Sequence, residues 1–209
     1  MKKLFKAILH NDLNEVRSII EKEVSLVNCI AKAPPKADDG QSPLQVALKT
    51  GKFEIANLLI DNGANINFIE QESVNEWRMP VIHDAIRACV FSSRYVGYSG
   101  VQNKKETFEK GFSILKKLIK LGADIKSIDS YGNNCLMRAS LDASQLDLNQ
   151  NTKELHTDLK RVFDLLISAG ADINESNDRR ASVAEWYKDK PVAIFFKPKT
   201  SGWLKFFGR

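Results

Sequence analysis

One pattern constrains this chain more than its size or composition does: an ending that occurs three times. It reads Leu58-Leu59-Ile60-Asp61-Asn62-Gly63-Ala64-Asn65-Ile66-Asn67, then Leu118-Ile119-Lys120-Leu121-Gly122-Ala123-Asp124-Ile125, then Leu165-Leu166-Ile167-Ser168-Ala169-Gly170-Ala171-Asp172-Ile173-Asn174. Copies of so long a string make internal repetition the organising feature, and units of this kind bury their apolar faces only by stacking on one another. The first copy closes a unit that opens at Asp39, and each part of that unit has a mechanical reading. Asp39-Gly40 suits a tight turn, since glycine tolerates positive φ. Ser42 is placed to cap a helix whose first residue is Pro43, a position where a missing N–H costs nothing. Gly51 permits a reversal into a second helix, on which Ile55, Leu58 and Leu59 form an i, i+3, i+4 apolar stripe. Gly63 supplies the left-handed stop.

The run Ser42-Pro43-Leu44-Gln45-Val46-Ala47, together with these endings, resembles the ankyrin repeat, whose signature includes T-P-L-H-x-A and an L-L-x-x-G-A-D/N-x-N close. The front half recurs more loosely. Met79-Pro80-Val81-Ile82-His83-Asp84-Ala85 carries one extra residue, and Tyr131-Gly132-Asn133-Asn134-Cys135-Leu136-Met137-Arg138-Ala139 has Cys135 where proline is usual. Leu4 to Asn28 reads as a degenerate first repeat, with Asp12 and Glu15 as a capping box for its second helix and Val16, Ile19 and Ile20 facing the core. Asn177 to Lys188 reads as a final helix without a partner. The resemblance runs from Leu4 to roughly Lys188, about nine-tenths of the chain. It implies an all-α fold, an ankyrin-repeat solenoid of helix-turn-helix units joined by hairpin loops. About four repeats and a C-terminal capping helix are expected over residues 1–190, followed by a basic aromatic tail over 191–209.

Departures from a period of about 33 residues locate the insertions. Ile114 follows Ala85 by 29 positions where Ile55 follows Ala47 by 8, so about 21 residues are extra, near 89–110. Comparing Ala139–Leu165 with Ala47–Leu58 leaves about 15 extra, near 142–157. Structureless loops of that length are uncommon in compact domains, so partial helix or function is expected. The second insertion, polar from Asp142 to Asp158, is expected to start the next helix early. The first contains Phe91-Ser92-Ser93-Arg94-Tyr95-Val96-Gly97-Tyr98-Ser99-Gly100, read as a flexible stretch with exposed aromatics. Both belong to the helix-turn side, opposite the hairpin tips that the family commonly uses for binding. Two hairpin connections also run long: Cys29 to Asp38, stiffened by Pro34-Pro35, and Phe68 to Arg78, which carries Glu70, Glu72, Glu76 and Trp77.

The formal charge of +5 sits entirely at the C-terminal end: Lys188, Lys190, Lys197, Lys199, Lys205 and Arg209 outweigh Asp189, leaving residues 1–187 neutral. A neutral body is a poor phosphate-binding surface, and no nucleic-acid partner is expected. Lys6 interrupts the apolar start and His10-Asn11-Asp12 ends it too soon for a signal peptide. Cys29, Cys89 and Cys135 are widely spaced and odd in number, which fits reduced thiols and a cytoplasmic location.

No residue set converges on catalysis, and neither a cofactor nor a metal is expected. His83-Asp84 is the most tempting pair, but His83 occupies the family's T-P-L-H histidine position, which implies an imidazole that bonds backbone and steadies the inter-repeat turn. His10 and His156 lack ligand-spaced neighbours, and Cys89 and Cys135 fall on apolar helix faces as packing residues. In the tail, Trp203, Phe206 and Phe207 follow helical spacing among basic residues. Shielding of the last repeat is favoured over contact with a membrane or partner through Trp203–Arg209.

The resemblance implies a non-catalytic protein-interaction module, expected as a monomer, that binds through hairpin tips and the inner helix face. Candidate contacts are Asp38, Asp39, Gln41, Lys49, Thr50, Trp77, Arg78, Arg87, Tyr131, Asn133, Arg179 and Arg180. Two narrower readings stand beside it: an inhibitor or immunity-type protein that neutralises a toxin or enzyme, and a membrane-surface adaptor using the C-terminal tail.

Overall fold

Local signals set the helix boundaries in the computed structural model, which describes residues 1–70, 73–97, 99–150 and 152–196. Helices α1 (Lys2–Leu9) and α2 (Leu13–Lys22) form the first pair, with the Asp12 carboxylate accepting from the Glu15 N–H at 2.9 Å. The Glu15 side chain pairs with Lys3. Val16 and Ile20 are buried, and Ile19 packs against the core from a half-buried position. The pair α3 (Pro43–Lys49) and α4 (Phe53–Asp61) begins with a full capping box, the Ser42 hydroxyl and Gln45 amide each serving the other's backbone, and with proline in the first turn. Next come α5 (Val81–Phe91) with α6 (Lys105–Lys120), and α7 (Cys135–Ala143) with α8 (Lys153–Ser168). Each repeat ending closes on a left-handed glycine, Gly63, Gly122 and Gly170, at φ 84°, 92° and 102°.

Two layers result. α1, α3, α5 and α7 stack in sequence as an inner layer; α2, α4, α6 and α8 stack as an outer one. A single apolar core runs from Leu4 to Phe196 between them. Side chains at repeating positions tie one unit to the next. The Asn28 amide donates to Gly63 O at 3.0 Å and accepts from Asn65 N–H at 2.7 Å; Asn67 does the same to Gly122 O and Asp124 N–H at 3.2 and 2.8 Å. Lys126 stands in the next equivalent place and its side chain makes no such bond. On the inner layer, Gln45 donates to Met79 O at 2.7 Å, and His83, one repeat on, donates from Nε2 to Ser127 O at 3.2 Å.

The first insertion is ordered differently from the expectation. Its chain forms a small antiparallel hairpin of β1 (Val96–Gly97) and β2 (Gly100–Val101), then feeds a 16-residue α6. Phe91 and Tyr95 are not exposed but pack on the core, because Arg94 anchors the segment. Its guanidinium grips the buried Asp158 carboxylate at 2.6 and 2.9 Å, and the Arg94 N–H adds a third bond at 3.1 Å. Tyr98 lies outside the described residues. The second insertion contains a short 3-10 turn (Leu148–Gln150), and α8 then starts at Lys153, capped by Thr152.

The C-terminal end departs from a helix over Asn177–Lys188. Asn177 and Arg180 close a tight turn, and only α9 (Val183–Trp186) is helical, capped by Ser182. Nor does the packed body stop at residue 190. A 3-10 turn (Pro191–Phe195) inserts Val192, Phe195 and Phe196 beneath α8, with Phe195 stacked on Phe163 at 5.4 Å between centroids. The first residues assigned to the tail therefore shield the last repeat. Trp203, Phe206 and Phe207 lie outside the described residues.

Candidate functional site

The hairpin tips are where backbone polar groups outnumber helix partners, and carboxylates satisfy them. Asp39 accepts from Ala33 N–H at 2.6 Å and Val74 N–H at 2.7 Å, so it pins the first long tip to the second, and these bonds hold its carboxyl below the usual range. Asp129 does more: it accepts from Tyr131 N–H, Asn133 N–H, the Asn133 amide and, at 3.2 Å, Trp77 Nε1. Arg78 and Ser130 exchange further bonds between the same two tips. The last tip joins them through Asn177 to Gly132 O, Arg179 to Ser130 O and Arg180 to Tyr131 O, at 2.9, 2.7 and 3.1 Å. Gly132, at φ 81°, leaves no room for a Cβ, which would stand 2.8 Å from the Arg179 Cβ.

This arrangement sorts the sequence-derived candidates. Asp38, Asp39, Gln41 and Asn133 are buried and spent on internal bonds. Lys49 reaches Ala37 O, Asp38 and Gln41 at 2.6–2.7 Å, and Thr50 caps its own helix through Val46 O. Trp77, Arg78, Arg87, Tyr131, Arg179 and Arg180 belong instead to one surface built by tips two, three and four with α5. Tyr131 is 47% exposed and lies 6.4 Å from Trp77 between ring centroids. The half-buried indole also meets two guanidiniums, Arg87 at 5.6 Å and Arg138 at 5.4 Å.

Arg138 was absent from the candidates. It is buried on α7 and holds Asp142 by two bonds at 2.8 and 2.6 Å, one helical turn on. Burial still pushes the Asp142 carboxyl up from its ordinary value, with Arg138 and the field of Arg87 opposing that rise. An Arg followed by Asp at i+4 was the available signal.

Behind the surface sits a polar layer within α3 and α5. Asp84 is fully buried, accepts from Gln45 at 3.0 Å, and is driven well above the normal carboxyl range by burial and by Glu70. Glu70 is raised by burial as well, against the Gln41 bond at 2.8 Å. Burial lowers His83 to about 4, which leaves the ring neutral at pH 7 as a donor to Ser127 O. Cys89 and Cys135 are buried with thiols pushed up by desolvation. His156 packs 5.3 Å from the Phe195 ring. Among the described residues, no group of three His, Cys, Asp or Glu side chains is placed to hold a metal, and no helix is long and apolar enough to cross a membrane. The two insertions enclose a cleft of about 680 Å³, lined by residues including Tyr95, Gln102, Gln145 and Asp147. His156 is not part of its lining.

Stacked helix pairs with pinned hairpins define a helical repeat solenoid. Residues 39–70 match the family model for the ankyrin repeat. An ankyrin repeat protein of Rickettsia bellii (strain RML369-C) is 27% identical over 158 residues, covering 71% of this chain. The chain spans 22% of that relative's length. The fold is an all-α repeat solenoid, and residues 39–70 of it carry the sequence of an ankyrin repeat. Ankyrin repeats are in general non-catalytic modules for protein–protein interaction.

Proposed function

We propose that this chain is a non-catalytic, monomeric, cytoplasmic module that binds a protein partner through its hairpin tips and inner helix face, centred on Trp77 and Tyr131. The observation that carries this reading is the Trp77 cluster: an amphipathic indole, half-buried, held by Asp129 and flanked by Arg87, Arg138 and an exposed tyrosine. Trp, Tyr and Arg dominate binding hot spots because each offers rigid contact area with a polar handle. Prior immobilisation through Asp129 reduces the side-chain entropy lost on association. Lys49, Asp38, Asp39, Gln41 and Asn133 contribute by holding the tips in place, and Thr50 by closing the end of α3.

Affinity capture with the full chain tests the reading. Trp77→Ala and Tyr131→Ala are expected to weaken a specific partner by about 2 kcal/mol or more at the stronger site, roughly thirtyfold in Kd. Thermal unfolding of each variant checks that the repeats remain folded. If both variants are folded and retain every specific partner at wild-type affinity, the face is wrong.

A further inference from the structure

Lys49 and Arg87 occupy the same register on successive inner helices, two residues after Ala47 and Ala85. The first tip folds over Lys49 and supplies three oxygen acceptors. Over Arg87 the second tip places Trp77, which offers a π-face and no acceptor. The Arg87 guanidinium therefore lies 5.6 Å from both the Trp77 and Phe91 ring centroids, and makes no hydrogen bond or ion pair among the described residues. Among the described residues, the guanidiniums of Arg179 and Arg180 donate only to the carbonyls of Ser130 and Tyr131. The carboxylates nearest this surface are already committed: Asp129 to four donors, Asp142 to Arg138, and the buried Asp84 to Gln45. Exposed Glu76, Asp178 and Glu185 form no salt bridge with Arg87, Arg179 or Arg180.

We infer that the partner segment taken by this face is an acidic peptide whose Asp or Glu side chains are received by Arg87 and Arg180 beside Trp77 and Tyr131. The inference rests on the interaction-face reading and assigns its specificity. A guanidinium already placed against aromatic rings presents a planar fork that matches a carboxylate bidentately. Arg180 donates to Tyr131 O, the Tyr131 ring lies 6.4 Å from Trp77, and Trp77 lies against Arg87, so the two guanidiniums flank one aromatic pair. A few discrete guanidiniums interspersed with Glu76 and Asp178 suit spaced carboxylates better than a continuous polyanion.

The test is selection of ten-residue peptides from a randomised library on the immobilised full chain, followed by anisotropy titration of the selected peptides. Their Asn/Gln counterparts, phosphoserine-substituted versions and the variants Arg87→Gln and Arg180→Gln complete the set. The expected result is enrichment of Asp or Glu at two or more positions. Amide replacement or Arg87→Gln should each weaken binding about tenfold or more, the size of a lost charge-assisted pair. Arg87→Lys should recover only part of that loss, since it restores charge without the fork. Failure to select any peptide, absence of acidic enrichment, wild-type affinity in folded Arg87→Gln and Arg180→Gln, or preference for phosphoserine over Glu would each overturn the inference. Neutral peptides lost on Trp77→Ala would do so while leaving the interaction face standing.

Discussion

Removing the Arg94 side chain isolates the force that holds the first insertion to the solenoid. Asp158 is 0% exposed and takes three bonds from Arg94, whose own side chain is 19% exposed. Attraction to this carboxylate raises the Arg94 pKa further above its already high value. In Arg94→Ala the carboxylate keeps the backbone N–H alone and has no route to water, so the loss is that of an unpaired buried charge, about 3–5 kcal/mol. For a chain of this length that is roughly 6–20 °C in melting temperature. The converse change is milder. Asp158→Asn leaves a partly exposed guanidinium that can rehydrate, and costs about 1–2 kcal/mol for weakened hydrogen bonds. Replacing Arg94 by methionine together with Asp158 by valine should cost less than Arg94→Ala, since it removes the buried charge along with its partner. Thermal unfolding gives the ranking, and hydrogen exchange across Tyr95–Gln102 gives the location. Equal losses for Arg94→Ala and Asp158→Asn, or an Arg94→Ala loss below about 1 kcal/mol, would refute the reasoning.

Two further outcomes follow from the buried ring and the buried terminus. His83 has its pKa lowered from 6.5 to about 4 by burial, so the unfolded chain binds its proton first as pH falls. Stability from this group is complete above pH 6.5 and is lost as pH falls towards 4, on the order of 3 kcal/mol in all. His83→Gln, which copies Gln45 one repeat earlier, should flatten that acid limb in denaturant titrations at pH 7 and pH 4.5; an unchanged slope counts against it. Phe195→Ala removes a ring that is 1% exposed and stacked on Phe163. The expected loss is about 3–5 kcal/mol, concentrated in α7 and α8 because each repeat feels its neighbours alone. Ending the chain at Lys190 should reproduce it by hydrogen exchange, and exchange unaltered in α8 would contradict the shielding role.

The repeat units were legible because their determinants are local. Ser42 with Gln45, Pro43, Asp12 and the three closing glycines each act within a few residues, and the structure places each as the chemistry requires. The early start of α8 out of the second insertion was legible in its polar run, but the path of the first was not, since it is fixed by a bond between positions 94 and 158 that no periodicity encodes. The C-terminal end was misread for a local reason that could have been caught. Ser182-Val183-Ala184-Glu185 is a helix-start signature, and it favours a helix that begins there over one already running from Asn177. The apolar Val192, Phe195 and Phe196 were grouped with the basic residues beyond them, although their size alone suits them to core.

At the site the error was to equate polarity with exposure. Asp39 serves backbone N–H groups, and Asp38, Gln41 and Asn133 bond other side chains of the same tips, so a polar side chain in a pinned hairpin is more often a partner for its neighbours than a contact for another protein. Arg138 was missed for the opposite reason, standing at a position that is apolar Val46 in one repeat and acidic Asp84 in the next. Apolar, acidic and basic residues in one register cannot all serve the same packing role. Such a register is where a uniform scaffold acquires local character. The neighbouring register makes the point more sharply. Lys49, Arg87 and Leu141 are equivalent in sequence position, yet Lys49 is neutralised by the tip above it, Leu141 is packed, and Arg87 alone keeps an unpaired charge against aromatic faces. That difference is decided by which side chains the preceding tip folds down, Asp38 in one case and Trp77 in the other, and is therefore a property of the stacked molecule rather than of any single repeat.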